Sequence, residues 1–341
     1  MTTLSVLDLA PIAQGSDAAT SFRNSLSLAR HVEALGFKRF WLAEHHGMPG
    51  IASAATSVLI GHIAGGTSTI RVGAGGIMLP NHSPLIIAEQ FGTLESLYPG
   101  RIDLGLGRAP GSDQVVARAL RRHLDTDPEA FPQDVLELME YFSPNSRLPV
   151  TAVPGKGLSP EFWILGSSLF GAQLAAYLGL PYSFASHFAP QMLMQAIETY
   201  RNNFRPSEHL AEPYVMLGYN VFAADSDDDA HFLASSWQQS FVSLRTGQPI
   251  QLPPPVPDYT ASLSPSARAM LDTVLSCTAI GNATTVSHTM RQFIARTGAD
   301  ELIITTNMFE HQARLRSYEI VASIKDTLNT PSGAQGAETA S

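Results

Sequence analysis

A short apolar run followed by a stretch of helical spacing recurs eight times in this chain, and the alternation is never broken. The runs at 4–9, 40–43, 70–78, 101–105, 162–165, 181–185, 215–223 and 301–305 read as buried strands. Helical patterning covers 21–35, 52–64, 85–97, 132–142, 169–178, 190–204, 226–244, 284–296 and 311–328. In the first of these, Leu28, Val32 and Leu35 stand at i, i+4 and i+7, with Gly36 as the left-handed stop. Strict alternation means a parallel sheet. Eight units favour a closed α/β barrel, the (β/α)8 TIM barrel, over an open doubly wound sheet, and no Gly-x-Gly-x-x-Gly follows the first strand. The segment 245–265, with Pro249, Pro253, Pro254, Pro255 and Pro257, reads as an insertion or lid before the last βα units. The expectation is one domain over 1–328 and a small, polar, disordered tail over 329–341.

Composition narrows the partners. The 341 residues are 44% hydrophobic and 15% charged, ordinary for a globular chain, and the net charge of −9 argues against nucleic-acid or anionic-membrane surfaces. Arg118, Arg121 and Arg122 read as the solvated face of a helix. The single cysteine, Cys277, excludes an intrachain disulfide framework and fits a reducing compartment. No apolar stretch approaches the roughly 18–20 residues of a membrane span. The N-terminus carries no basic residue before Arg23 and has Asp8 in its first apolar run, a poor signal peptide. A soluble cytoplasmic protein is expected.

In a barrel all strand ends open at one mouth. The second strand ends, without a spacer, in Glu44-His45-His46. Asp8, Gly75-Gly76, Arg108, Ser167-Ser168 and His187 end other strands. Two adjacent histidines and a carboxylate suggest a metal, but neighbours on an extended strand point to opposite faces, and no other strand end completes a ligand set. The other readings are polar residues that satisfy strand-end backbone groups, or one imidazole acting as acid, base or hydrogen-bond donor. The last is preferred. Gly75-Gly76 inside a strand marks either a bulge or a place where backbone lies against a flat ring. Ser168 could simply cap the helix behind it. Taken with Arg108, however, the serines and the helix N-terminus form an anion site. An anion site and a glycine pair at one mouth point to a planar, phosphate-bearing cofactor, and FMN fits.

These residues resemble a known family. Phe40-Trp41-Leu42-Ala43-Glu44-His45-His46, Gly73-Ala74-Gly75-Gly76-Ile77-Met78-Leu79-Pro80 and Gly100-Arg101-Ile102-Asp103-Leu104-Gly105-Leu106-Gly107-Arg108 are similar to the bacterial-luciferase-like flavin-dependent monooxygenases. So are Leu165-Gly166-Ser167-Ser168, Leu178-Gly179-Leu180-Pro181 and Ser186-His187-Phe188, in the same order over nearly the whole chain. The resemblance implies a homodimeric TIM barrel holding FMN at its C-terminal mouth. A separate flavin reductase supplies the reduced cofactor, and a C4a-(hydro)peroxyflavin oxygenates a small organic substrate. It implies that His45 is catalytic and that Gly75-Gly76 is the family's non-proline cis peptide beside the ring. Glu44 stands by the flavin. Arg108, Ser167 and Ser168 hold the phosphate, Gly171 replaces a family threonine, and Glu89 is a carboxylate near the flavin. Asp8, His46, Met78, His82 and His187 shape the substrate side.

Two departures bear on the reaction. Gly107 stands where luciferases carry a reactive cysteine, and 245–265 does not match the luciferase lid. Light emission from a long-chain aldehyde is therefore not expected. The alternatives are F420-dependent hydride transfer, a non-catalytic flavin-binding protein, and a metallohydrolase.

Overall fold

The computed structural model describes residues 2–108, 116, 119–120 and 130–329. Arg118, Arg121, Arg122, most of the loop after Arg108, and the expected tail from residue 330 lie outside the described residues.

The strands are β1 Thr3–Asp8, β2 Arg39–Leu42, β3 Arg71–Met78, β4 Ile102–Gly107, β5 Glu161–Gly166, β6 Tyr182–Phe184, β7 Val215–Ala223, β8 Thr278–Gly281 and β9 Glu301–Thr305. Their order is β6-β5-β4-β3-β2-β1-β9-β7-β8, and a β6–β7 pairing closes the ring. Every pairing is parallel. The fold is a (β/α)8 barrel of eight strands, with β8 as an extra strand outside it.

The extra strand corrects the sequence reading. The ring's eighth member is the run at 301–305, as expected, but β8 and the helix before it lie in a stretch to which the sequence reading assigned no element. β8 pairs only with the far half of β7, from Asn220 to Ala223, because the long β7 outruns β9 there. The helix was signalled by Ser264, which caps Ala267 N–H, and by a proline in its first turn.

The helices are α1 Ala18–Ala34, α2 Thr56–Gly66, α3 Pro84–Leu97, α4 Phe131–Phe142, α5 Leu169–Leu178, α6 Leu193–Asn203, α7 Asp227–Arg245, α8 Pro265–Leu275, α9 Ala283–Thr297 and α10 His311–Ser323. Strand alternation sorts side chains between two cores. Phe40 and Leu42 go outward to the layer under the helices. Leu7, Trp41, Ala43, Trp163, Met216 and Ile303 fill the inside of the ring, where Trp41 and Trp163 meet edge to face at 5.2 Å.

Below the tryptophans lies a layer of charge. Arg39, 1% exposed, binds Asp103 at 2.8 Å, Glu301 at 2.8 Å and Glu161 at 3.0 Å. Arg71 Nε donates to Asp103 at 2.7 Å, and Lys38 Nζ stands 4.0 Å from Glu301. Trp41, Trp163 and Tyr214 donate to Asp103, Glu161 and Glu301 respectively. Burial works against the Arg39 charge, but the three carboxylates outweigh it and raise its pKa.

The segment after α7 is tied down. Leu252 N–H donates to Ile12 O at 2.9 Å, Gln14 N–H to Leu252 O at 2.8 Å, and Val256 N–H to Ser235 Oγ at 2.8 Å. Gln239 reaches Pro254 O at 3.0 Å. It forms a strap across the loop after β1.

Candidate active site

β2 carries its alternation into the mouth. Trp41 and Ala43 face inward, so Glu44 turns away from the axis while His45 continues above them. Glu44 is 1% exposed, and its Oε1 accepts from His46 Nε2 at 2.7 Å and from His82 Nε2 at 2.9 Å. An ionised carboxylate only accepts, so each Nε2 carries the proton. Oε2 accepts the Met78 N–H at 2.9 Å. Burial alone would raise the Glu44 pKa, but the bonds from His82, His46 and Met78 hold it below the usual carboxylate range. Glu44 thereby ties the end of β2 to the end of β3 and to His82, just after the 3₁₀ turn Leu79–Asn81. His46 and His82, expected on the substrate side, have their Nε2 atoms committed to Glu44.

The Gly75–Gly76 peptide between these groups is cis, in a bulge where the β3–β4 register shifts. The bulge was one of the two readings of this pair, and packing gives the glycines a further reason. A Cβ on Gly75 would meet Leu7 at 2.8 Å and Trp41 at 3.1 Å, and one on Gly76 would meet Gly105 O at 2.7 Å. Those Cβ directions are filled by the barrel itself.

His187 stands three residues beyond β6, and the positive charge His45 can carry lies near enough to affect it. Burial, then that charge, pushes its pKa down to about 4, so it is neutral near pH 7. Its ring lies on Gly218 of β7, where any Cβ would overlap Nδ1. Asn220 Nδ2 donates to the His187 carbonyl at 2.8 Å, fixing the backbone beneath the ring. Neither Gly218 nor Asn220 was read as functional. The signal was a glycine inside a strand, the one used at Gly75-Gly76.

Across the mouth, Arg108 stacks on Phe170 at 4.1 Å, in the first turn of α5. Ser168 is the N-cap residue, yet its hydroxyl caps nothing, and Ser167 and Ser168 are both exposed. Plain N-capping is thereby set aside. The α5 N-terminus keeps unpaired N–H groups beside two free hydroxyls and a guanidinium. Gly171 is buried against Gly166 and Tyr182, which closely fill the space of its missing side chain, so only its backbone can take part.

Two expected residues are elsewhere. Asp8 is fully buried and accepts from Arg314 at 2.9 Å and from Ala10 N–H at 3.0 Å. Its partner lies about 300 residues away, so the ion pair was invisible in sequence, and it locks Asp8 into the wall. Glu89 is exposed on α3 and raises the Tyr141 pKa on α4, after burial and Glu137. That places it on the helical layer, and no described contact joins it to the mouth.

With this geometry in place, a family model described as luciferase-like monooxygenase matches residues 2–323. The chain belongs to that family. A luciferase-like monooxygenase of Escherichia coli (strain K12) is 54% identical over 325 residues, 95% of this chain and 97% of its own. The solved structure of apo-MsnO8 has a TM-score of 0.86 at 35% identity, covering 96% of this chain and 99% of that one. A more distant structure shares the fold alone: the oxygenating constituent of 3,6-diketocamphane monooxygenase from Pseudomonas putida, in complex with FMN. Its TM-score is 0.67 at 16% identity, with 94% and 97% of the chains covered. Among the described residues, no three His, Cys, Asp or Glu side chains are grouped to hold a metal, and no helix is long and apolar enough to cross a membrane.

Proposed function

We propose that this chain is an FMN-dependent monooxygenase acting on a small organic substrate, using reduced flavin from a separate reductase and working as a homodimer. The observation that carries the reading is the unused N-terminus of α5. Unpaired N–H groups, the Ser167 and Ser168 hydroxyls and Arg108 suit a phosphate dianion, and they share a mouth with Glu44, His45 and His187. In this reading those groups hold the phosphate. When bound, reduced FMN supplies the two electrons that activate O2, one oxygen atom passing to substrate and the other to water.

The chain's own residues do the rest. Glu44 holds the end of β3 beside the Gly75–Gly76 backbone, which would back the ring when FMN is bound. His45, at the end of β2, donates or accepts the proton at the reacting oxygen. Met78 and His187 border the substrate side.

Fluorescence titration with FMN and with F420, then oxygen uptake and product analysis with an added flavin reductase, tests the reading. Binding of F420 alone would move the chain to hydride transfer. FMN binding without substrate-dependent oxygen uptake would make it a flavin carrier.

A further inference from the structure

Of the residues placed on the substrate side, His187 has a ring nitrogen with no partner inside the protein. The His187 Nδ1 is buried and has no hydrogen-bond partner. It cannot turn away, because the ring is seated on Gly218 and its carbonyl is held by Asn220. The residue is partly exposed, and Nδ1 is its one buried unpaired nitrogen, so the open edge of the imidazole is the one that carries Nε2. Among the described residues no carboxylate is bonded to either ring nitrogen, whereas His46 and His82 both have Glu44. An imidazolium at His187 would therefore be buried without a counter-ion, beside the charge His45 can carry.

The neighbouring cation is also spent. Arg245 Nη2 donates to Phe188 O at 2.6 Å, and its guanidinium covers the rings of Phe188 at 4.1 Å and Phe241 at 5.2 Å. A carboxylate placed against His187 would meet neither a matching charge nor a free guanidinium. An uncharged polar atom would meet a rigid hydrogen-bonding edge at no such cost.

We propose that His187 is the specificity residue of this site: it receives an uncharged oxygen or sulfur of the organic substrate, such as a carbonyl, hydroxyl or thioether, and turns away a carboxylate in that place. Gly218 acts through it as a positioning residue. The proposal rests on the reading of the mouth as a monooxygenase site.

The test compares two compounds of one shape, cyclohexyl methyl ketone and cyclohexanecarboxylate, titrated into FMN-loaded and flavin-free protein while the His187 ring signals are followed by NMR. The ketone should move those signals and bind at least about tenfold more tightly than the carboxylate. His187→Phe should lose that preference, His187→Asn should keep part of it, and Gly218→Ala should weaken ketone binding by displacing the ring. FMN affinity should be the same in all three variants. Carboxylate binding as tight as the ketone's, ring signals that no ketone moves, or an unchanged preference in His187→Phe would each overturn the proposal. Failure to bind FMN at all would instead sink the flavin reading, and the flavin-free titrations would still decide the role of His187.

Discussion

The two ends of the barrel carry similar side chains and treat them oppositely. At the N-terminal end, Asp103, Glu161 and Glu301 face Arg39, Arg71 and Lys38, with Trp41, Trp163 and Tyr214 donating the remaining hydrogen bonds. At the mouth, Glu44 is satisfied, but His187 Nδ1, the Ser168 hydroxyl and the first N–H groups of α5 have no partner of their own. Saturated charge makes a plug. Unsaturated polar groups held rigidly make a site, since what they lack is what a ligand brings. The lesson is that satisfaction, and not residue type, separates structure from chemistry in this barrel.

The sharpest way to break the comparison is Arg39→Leu. It strands two buried carboxylates, Asp103 and Glu301, and the partly exposed Glu161, and should cost about 3–5 kcal/mol by denaturant unfolding. Flavin affinity of the folded fraction should hold. An Arg39→Leu protein of normal stability with impaired flavin binding would show that the plug is not a structural unit. At the other end, His45→Ala should leave the melting temperature within a few degrees and cut product formation at least a hundredfold, about 2.7 kcal/mol in the barrier. Full turnover in that variant would remove His45 from the mechanism.

Arg108→Ala should weaken FMN binding by about 1.5–3 kcal/mol, the range of a hydrogen bond to a charged group. Ser168→Ala should weaken it by about 0.5–1.5 kcal/mol, since that hydroxyl supports nothing inside the protein. Equal losses of stability in both variants, with affinity retained, would make this end structural too.

The smallest effect is a pH slope. His187 and His311 both have pKa values pushed down to about 4, by burial first, from an ordinary 6.5. The unfolded chain therefore binds more protons than the folded one between those values, and stability should fall as pH drops from about 6.5 toward 4. The slope is at most about 1.4 kcal/mol per pH unit for each histidine. Replacing His187 by Phe should remove its share. Glu44 acts in the same direction further down, as its depressed pKa lets its contribution go only when pH falls below the ordinary carboxylate value.

Much of this was legible in the chain. Alternating runs predicted the barrel, and the abrupt strand end at Glu44-His45-His46 located the mouth. Adjacency on an extended strand already said that His45 and His46 would point apart, and the structure turns His46 to Glu44. The residues of the proposed anion site, Arg108 and Ser167-Ser168, were visible, but only the structure showed that Ser168 caps nothing. Asp8 and Glu89 misled because a strand end and a family position say where a residue is, not what it is bonded to. β8 and α8 were passed over because a proline-rich segment hid a Ser-Pro helix start.

What the sequence by itself determined was the local part: strand and helix periods, caps such as Asp17 and Asn282, and hence the order of units around one mouth. Tertiary structure alone decided which polar groups are spent. Asp8 meets Arg314, Arg39 meets Glu301, and His187 comes to rest on Gly218 through contacts spanning 306, 262 and 31 residues. Such pairings follow from ring closure, which brings β1 beside β9 and β6 beside β7. No period in the sequence encodes a distance set by a circle.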